Sequence, residues 1–177
     1  MNSKIAKEIE ILESDLDSLI KELQKYDDEI LNRKPENSWS VLQVLHHLML
    51  AEQGSLKYVK KKLSYNPELK KVNWQTKIRT LMLNFYVWSP LKFSAPKIIS
   101  GDNLPTESNL NTIKEQYPMV RRDIKDFFET VPDSLLEKEI FKHALAGRLS
   151  LIGMIVFFKG HFKRHKNQIY RILKSIE

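Results

Sequence analysis

The stretch Ser150 to Ile176, SLIGMIVFFKGHFKRHKNQIYRILKSI, decides the fold class. Met154, Phe158, His161, His165, Ile169, Ile172 and Ile176 recur there at steps of three and four, the period of one face of an α-helix. The spacing predicts one long helix whose apolar stripe carries two histidines one turn apart. Working outward, Ile113, Tyr117, Val120, Ile124, Phe127 and Val131 share a face of a second such helix. Pro118 lies within it and must either kink it or sit in its first turn, and Pro132-Asp133 stops it.

Further upstream, a helix is expected to start around Trp39 and run to about Leu63. Ser40 followed three residues later by Gln43 can form a capping box, and Pro35 limits any helix before it. At the N-terminus Ile5, Ile9, Leu12, Leu16, Leu19 and Leu23 again alternate steps of four and three, ahead of a polar loop from Asp27 to Asn37. Residues 65 to 105 are too many for a bare connection. Trp74, Ile78, Leu81, Phe85 and Trp88 fit a short extra helix that Ser89-Pro90 would end, and Pro96, Gly101 and Pro105 then mark a loop. No segment of comparable length alternates with the period of a half-buried strand. The expected architecture is all-α: a four-helix bundle with a long elaborated crossover between helices 2 and 3, residues 1–177 forming a single domain.

Composition narrows the chemistry. Lys and Arg number 29 against 22 Asp and Glu, a formal charge of +7 with histidines neutral, and there is no cysteine. Disulfide frameworks, thiolate zinc sites, iron–sulfur clusters and a cysteine nucleophile are therefore excluded. The first residues lack the apolar core of a secretory signal. The longest greasy stretch, Leu149 to Phe158, falls far short of the ~20 apolar residues of a membrane span. A soluble cytoplasmic protein without membrane attachment is expected. A pI near 9.4 raises nucleic acid as a partner. The basic residues are nevertheless spread over several helices, and no zinc finger, RNP-type aromatic motif or Gly-rich phosphate loop accompanies them. Net charge is all that supports that reading, and a small-molecule substrate is favoured over nucleic acid.

His161 and His165 can point into one site, and a divalent metal is the economical partner for two imidazoles on an inner helix face. A third histidine is offered by Val44-Leu45-His46-His47-Leu48, an otherwise apolar run. His46 and His47 are rotated about 100° from each other, and apolar residues surround both, so periodicity leaves the choice between them open.

Two motifs, Asn37-Ser38-Trp39-Ser40-Val41-Leu42-Gln43-Val44-Leu45-His46-His47-Leu48 and His161-Phe162-Lys163-Arg164-His165-Lys166-Asn167-Gln168-Ile169, resemble the DinB-like superfamily, which includes the YfiT-type metal hydrolases. Lys92-Phe93-Ser94-Ala95-Pro96 and His143-Ala144-Leu145-Ala146-Gly147-Arg148-Leu149-Ser150 are similar to pieces of one branch of it. In that branch Pro more often follows the His and an aromatic precedes the Gly, where this chain has Ala144 and Ala146. Lys166 and Asn167 likewise replace the more usual Arg and Gly. The resemblance implies a metal site of His47, His161 and His165, taking the second-helix ligand as His47 rather than His46.

Three neutral nitrogen ligands without cysteine suit Zn, Ni or Fe and leave positions open for catalysis. The resemblance implies either a hydrolase or a transferase that activates a low-molecular-weight thiol cosubstrate, and it allows a homodimer. Gln168 could orient a ligand or a bound water. His143 is a candidate acid or base, against its reading as a loop histidine held by a backbone carbonyl. Glu52, turned away from His47, reads as a surface charge. Trp39 reads as a packing residue, with Trp74 and Trp88 as pocket walls. A non-catalytic stress-related bundle with a structural metal or none is the alternative, ahead of a basic nucleic-acid binder.

Overall fold

A computed structural model describes residues 1–36, 38–88 and 104–176, apart from the side chains of Tyr86 and Trp88. Its elements in chain order are α1 (Ser3–Leu23), α2 (Asp28–Asn32), α3 (Val41–Ser64), α4 (Trp74–Trp88), α5 (Leu110–Thr130), β1 (Phe141–His143), β2 (Gly147–Leu149) and α6 (Leu151–Ile176). Packing runs α1 to α5, α5 to α3, α3 to α6 and α6 back to α1, which closes a ring of four helices around one core. Leu16, Leu45, Tyr117 and Phe158, one from each helix, are among its most buried side chains. The expected four-helix bundle with a long crossover is the observed fold.

Local chemistry sets the helix ends. Ser40 Oγ accepts from the Gln43 backbone N–H at 3.2 Å while Gln43 Oε1 accepts from the Ser40 N–H at 3.2 Å, so the capping box forms and α3 starts at Val41. Asn2 and Asn109 cap α1 and α5 through their side-chain oxygens. Pro118 lies well inside α5, and that helix continues to Thr130 before Pro132.

Two features depart from the sequence reading. The polar loop after α1 holds the short helix α2, whose Asp28 and Asn32 side chains accept from the backbone N–H groups of Leu110 (2.8 Å) and Ser108 (3.1 Å). It thereby fixes the entry to α5. A β1–β2 hairpin also precedes α6, with Phe141 opposite Leu149 and His143 opposite Gly147. Strands of three residues are too short to show alternation, and the hairpin closes through Gly147, whose φ of 73° favours glycine.

Helix α4 lies on the outside of α6. A Cβ at Gly160 would stand 3.2 Å from Val87 Cγ1 and 3.3 Å from Asn84 Oδ1, so glycine lets the two helices approach closely. The expected stripe of α4 does not face this contact. Thr76, Leu83 and Val87 are buried, whereas Trp74, Ile78, Leu81 and Phe85 face solvent. Periodicity identified the helix and its stripe but not the direction in which the stripe points. Among the described residues, no helix is long and apolar enough to cross a membrane. The segment Lys92 to Pro96, the Ser89-Pro90 stop, and the loop marks Pro96 and Gly101 lie outside the described residues.

Candidate metal centre

Helices α3 and α6 bring three imidazoles together. His161 Nε2 stands 3.2 Å from His47 Nε2 and 3.0 Å from His165 Nε2, and one nitrogen from each ring lies within 4.8 Å of the others. The two residues on α6 meet because they are one helical turn apart. His47 reaches them because it lies on the side of α3 that faces α6. His46 points elsewhere: its Nε2 shares a 2.7 Å hydrogen bond with Ser108 Oγ, at the start of α5. The first half of α3 is buried on all sides, which is why the apolar surroundings of both histidines could not distinguish them.

Each ring is oriented by a neighbour. Gln168 Oε1 lies 2.7 Å from His165 Nδ1, so that nitrogen carries the proton and Nε2 presents a bare lone pair to the cluster. Trp39 leans on His47 with ring centroids 5.0 Å apart. Phe157 stacks on His161 at 4.9 Å and 22°. The site therefore rests on Trp39 rather than on Trp74, which is exposed; the side chain of Trp88 is outside the described residues.

His143 does not join the cluster. Its Nδ1 accepts the backbone N–H groups of Leu145 and Ala146, each at 3.2 Å, so the hairpin loop holds it through donors rather than through a carbonyl. Its ring sits edge-on to Phe157 at 4.5 Å, one aromatic ring removed from His161, and burial lowers its pKa to about 4. Glu52 is turned away from His47 as expected, but it is fully buried rather than a surface charge. It pairs with Arg121, Nε to Oε2 at 2.6 Å and Nη2 to Oε1 at 2.7 Å, and accepts from Tyr117 Oη at 2.8 Å. Its partners lie on another helix, 65 and 69 residues away, beyond the reach of local pattern.

The electrostatics favour neutral imidazoles. Burial first, then the neighbouring histidines and Arg164, hold His161 well below its ordinary pKa. Burial and His47 bring His165 down to about 3, against the opposing hydrogen bond from Gln168. Neutral rings leave the cluster short of donors. With the His165 proton on Nδ1, one proton on His161 can serve one neighbour at most, and among the described residues His161 Nδ1 is buried without a hydrogen-bond partner. A cation amid the three Nε2 atoms would satisfy all of them. Tetrahedral coordination at 2.0–2.1 Å places ligand nitrogens ~3.3 Å apart, close to the two separations measured from His161, 3.2 and 3.0 Å.

The model of the DinB superfamily matches residues 8–169. Among solved structures, YfiT from Bacillus subtilis, described as "a probable metal-dependent hydrolase with an unusual four-helix bundle topology", is similar with a TM-score of 0.66. The likeness covers 99% of this chain and 89% of that one at 17% identity, which shows a shared fold. No curated protein matches the sequence.

Proposed function

The chain belongs to the DinB superfamily, and from that membership we propose that it is a metal-dependent enzyme whose His47, His161 and His165 hold one divalent ion and whose substrate is a small molecule. The carrying observation is the convergence of three Nε2 atoms without enough protons to satisfy one another. The all-imidazole donor set suits Zn, Ni or Fe rather than Mg or Ca.

An ion held by His47, His161 and His165 would supply Lewis acidity, which would lower the pKa of a water or a thiol brought to it. The protein's own groups prepare the site. Gln168 fixes the His165 tautomer, while Trp39 and Phe157 hold the other two rings in an apolar setting. Burial keeps His161 and His165 neutral, the form that binds metal. His143, whose ring sits edge-on to Phe157 and whose charge is felt at His161, is the candidate for proton transfer. Hydrolysis is the favoured reaction because the structurally similar YfiT is described in those terms.

The test is turnover by protein loaded with zinc, nickel or iron on a panel of esters and amides, beside conjugation of an electrophile to low-molecular-weight thiols. Hydrolysis that falls at least ~1000-fold in His47→Ala is the expected result, on the scale of losing catalytic metal. Conjugation without hydrolysis would assign the open positions to a thiol. Silence in both assays with metal bound would leave a structural metal and sink the enzyme reading.

A further inference from the structure

Helix α6 supplies two of the three histidines and has no aspartate or glutamate in its 26 residues, against Lys159, Lys163, Arg164, Lys166, Arg171 and Lys174. The other elements that border the centre share this bias. The β1–β2 hairpin around His143 carries Lys142 and Arg148 and no acid, and the single acid of α3, Glu52, is closed off by Arg121 on the α5 side. Among the described residues no carboxylate joins the three imidazoles, and the charges that weigh most on His161 and His165 are positive, Arg164 on both and Arg171 on His165. Neutral imidazoles bring no negative charge to offset a bound dication. Buried charge without a counter-charge is costly, so the missing negative charge has to arrive with what binds. We propose that the substrate of this centre is a small organic anion, its carboxylate or phosphate held by Arg171 beside Arg164 while its reacting group lies at His47, His161 and His165.

The geometry of α6 selects these two arginines from the six cations. Arg164, Gln168 and Arg171 follow steps of four and three and so form one row along the helix. Gln168, in the middle of the row, stands 2.7 Å from His165 Nδ1, so the row runs beside the centre. Arg164 reaches toward α4, where its Nη1 donates to the Val87 carbonyl at 3.3 Å, which fixes its guanidinium. Arg171 is exposed and makes no hydrogen bond or ion pair among the described residues. Other cations of the helix have ordinary accounts. Lys159 and Lys166 pair with Glu8 and Asp15 of α1, and Lys174 lies in the last turn, where it offsets the helix dipole. Six residues separate Arg171 from His165, ~9 Å along the axis, a span that one small molecule bridges. Guanidinium pairs with carboxylate or phosphate through two parallel hydrogen bonds, and a cleft of one sign concentrates the opposite charge. A neutral ester or amide would leave this row unanswered.

The place of the reacting group rests on the enzyme reading above, whereas binding of the anion does not, and the test keeps the two apart. In its first arm metal-free protein, in which no anion can be held by a metal, is titrated with acetate and with inorganic phosphate at low salt. The signals followed are the Arg171 Nε–H and the Gln168 side-chain amide in nitrogen-15 spectra. Saturable shifts are expected, the tighter of the two anions naming the preferred oxyanion. Arg171→Gln should weaken that binding about 10-fold or more, the scale of one charge-assisted hydrogen bond. Lys174→Gln should bind as wild type, because Lys174 lies nine residues from His165 and hence on the opposite side of α6. In the second arm zinc-loaded protein is given two matched esters, one ending in a free carboxylate and the other in its methyl ester. The carboxylate should have a KM at least ~10-fold lower, an advantage that shrinks in Arg171→Gln and in 0.5 M NaCl. Absence of a saturable shift with either anion overturns the proposal, as does binding that Arg171→Gln leaves unchanged or an ester pair turned over with equal KM. Failure to hydrolyse either ester counts against the enzyme reading alone, and the anion titration still decides this one.

Discussion

Helix α3 carries two buried polar clusters, five residues apart in sequence, and they are finished in opposite ways. Toward α5, Glu52, Tyr117 and Arg121 form a closed set: the carboxylate meets a guanidinium in two contacts and a phenol in a third. Toward α6, His47, His161 and His165 form an open set in which three imidazole Nε2 atoms face one another without enough protons to pair them all. Burial raises the Glu52 pKa and would lower that of Arg121, but each charge is answered by the other within the protein. Burial lowers His161 and His165, and among the described residues only the Gln168 contact opposes it. A polar cluster that completes itself stabilises and orients helices, whereas one that does not is a receptor for what it lacks.

The largest effect expected from this contrast comes from opening the closed set. Arg121→Met leaves Glu52 buried and unpaired and should lower unfolding free energy by about 3–5 kcal/mol in urea titrations. Metal content of the folded fraction should be unchanged. If metal and stability fall together, the two clusters are not separable.

Acid comes next and acts on the open set. His165 sits at about 3 and His161 well below normal, against an unfolded value of about 6.5. Between those values the unfolded chain binds more protons. Metal-free stability should therefore be fully present above about pH 6.5 and be lost as pH falls toward about 3, with about 3 kcal/mol gone by pH 4 from His165 alone. His165→Asn should flatten that slope. A slope unaltered by the substitution would place the acid sensitivity elsewhere.

The smallest of the three is Gln168→Ala, which frees His165 Nδ1 without removing a ligand. It should weaken metal binding roughly 10- to 100-fold in competition with a chelator while the three-ligand stoichiometry is kept. An unchanged affinity would reduce Gln168 to a helix-surface contact.

The same contrast shows what was legible in the sequence. The bundle helices α1, α3, α5 and α6 follow from apolar spacing, and the start of α3 from Ser40 and Gln43, because these signals are local. His161 and His165 are local too, one turn apart on a single helix. His47 was not: periodicity left it level with His46, and the family resemblance chose between them. The geometric reason emerges only when α6 packs on one side of α3 and Ser108 meets the other. Glu52 was misread because its partners lie on α5, and a lone carboxylate carries no trace of an arginine 69 residues away. The stripe of α4 is legible in the spacing, but spacing defines a face without saying what covers it, and here that face is exposed. His143 was placed near the bundle end but given the wrong kind of partner, as the hairpin that supplies its two N–H donors is too short to leave a pattern.

The most direct test of the central claim, that the open cluster is completed by a cation, is elemental analysis of untagged protein purified without chelator, for wild type and His161→Ala. The account predicts close to one zinc, nickel or iron per chain, lost in the variant while its helical content persists. Metal-free wild-type protein that also takes up no added zinc, nickel or iron would contradict it.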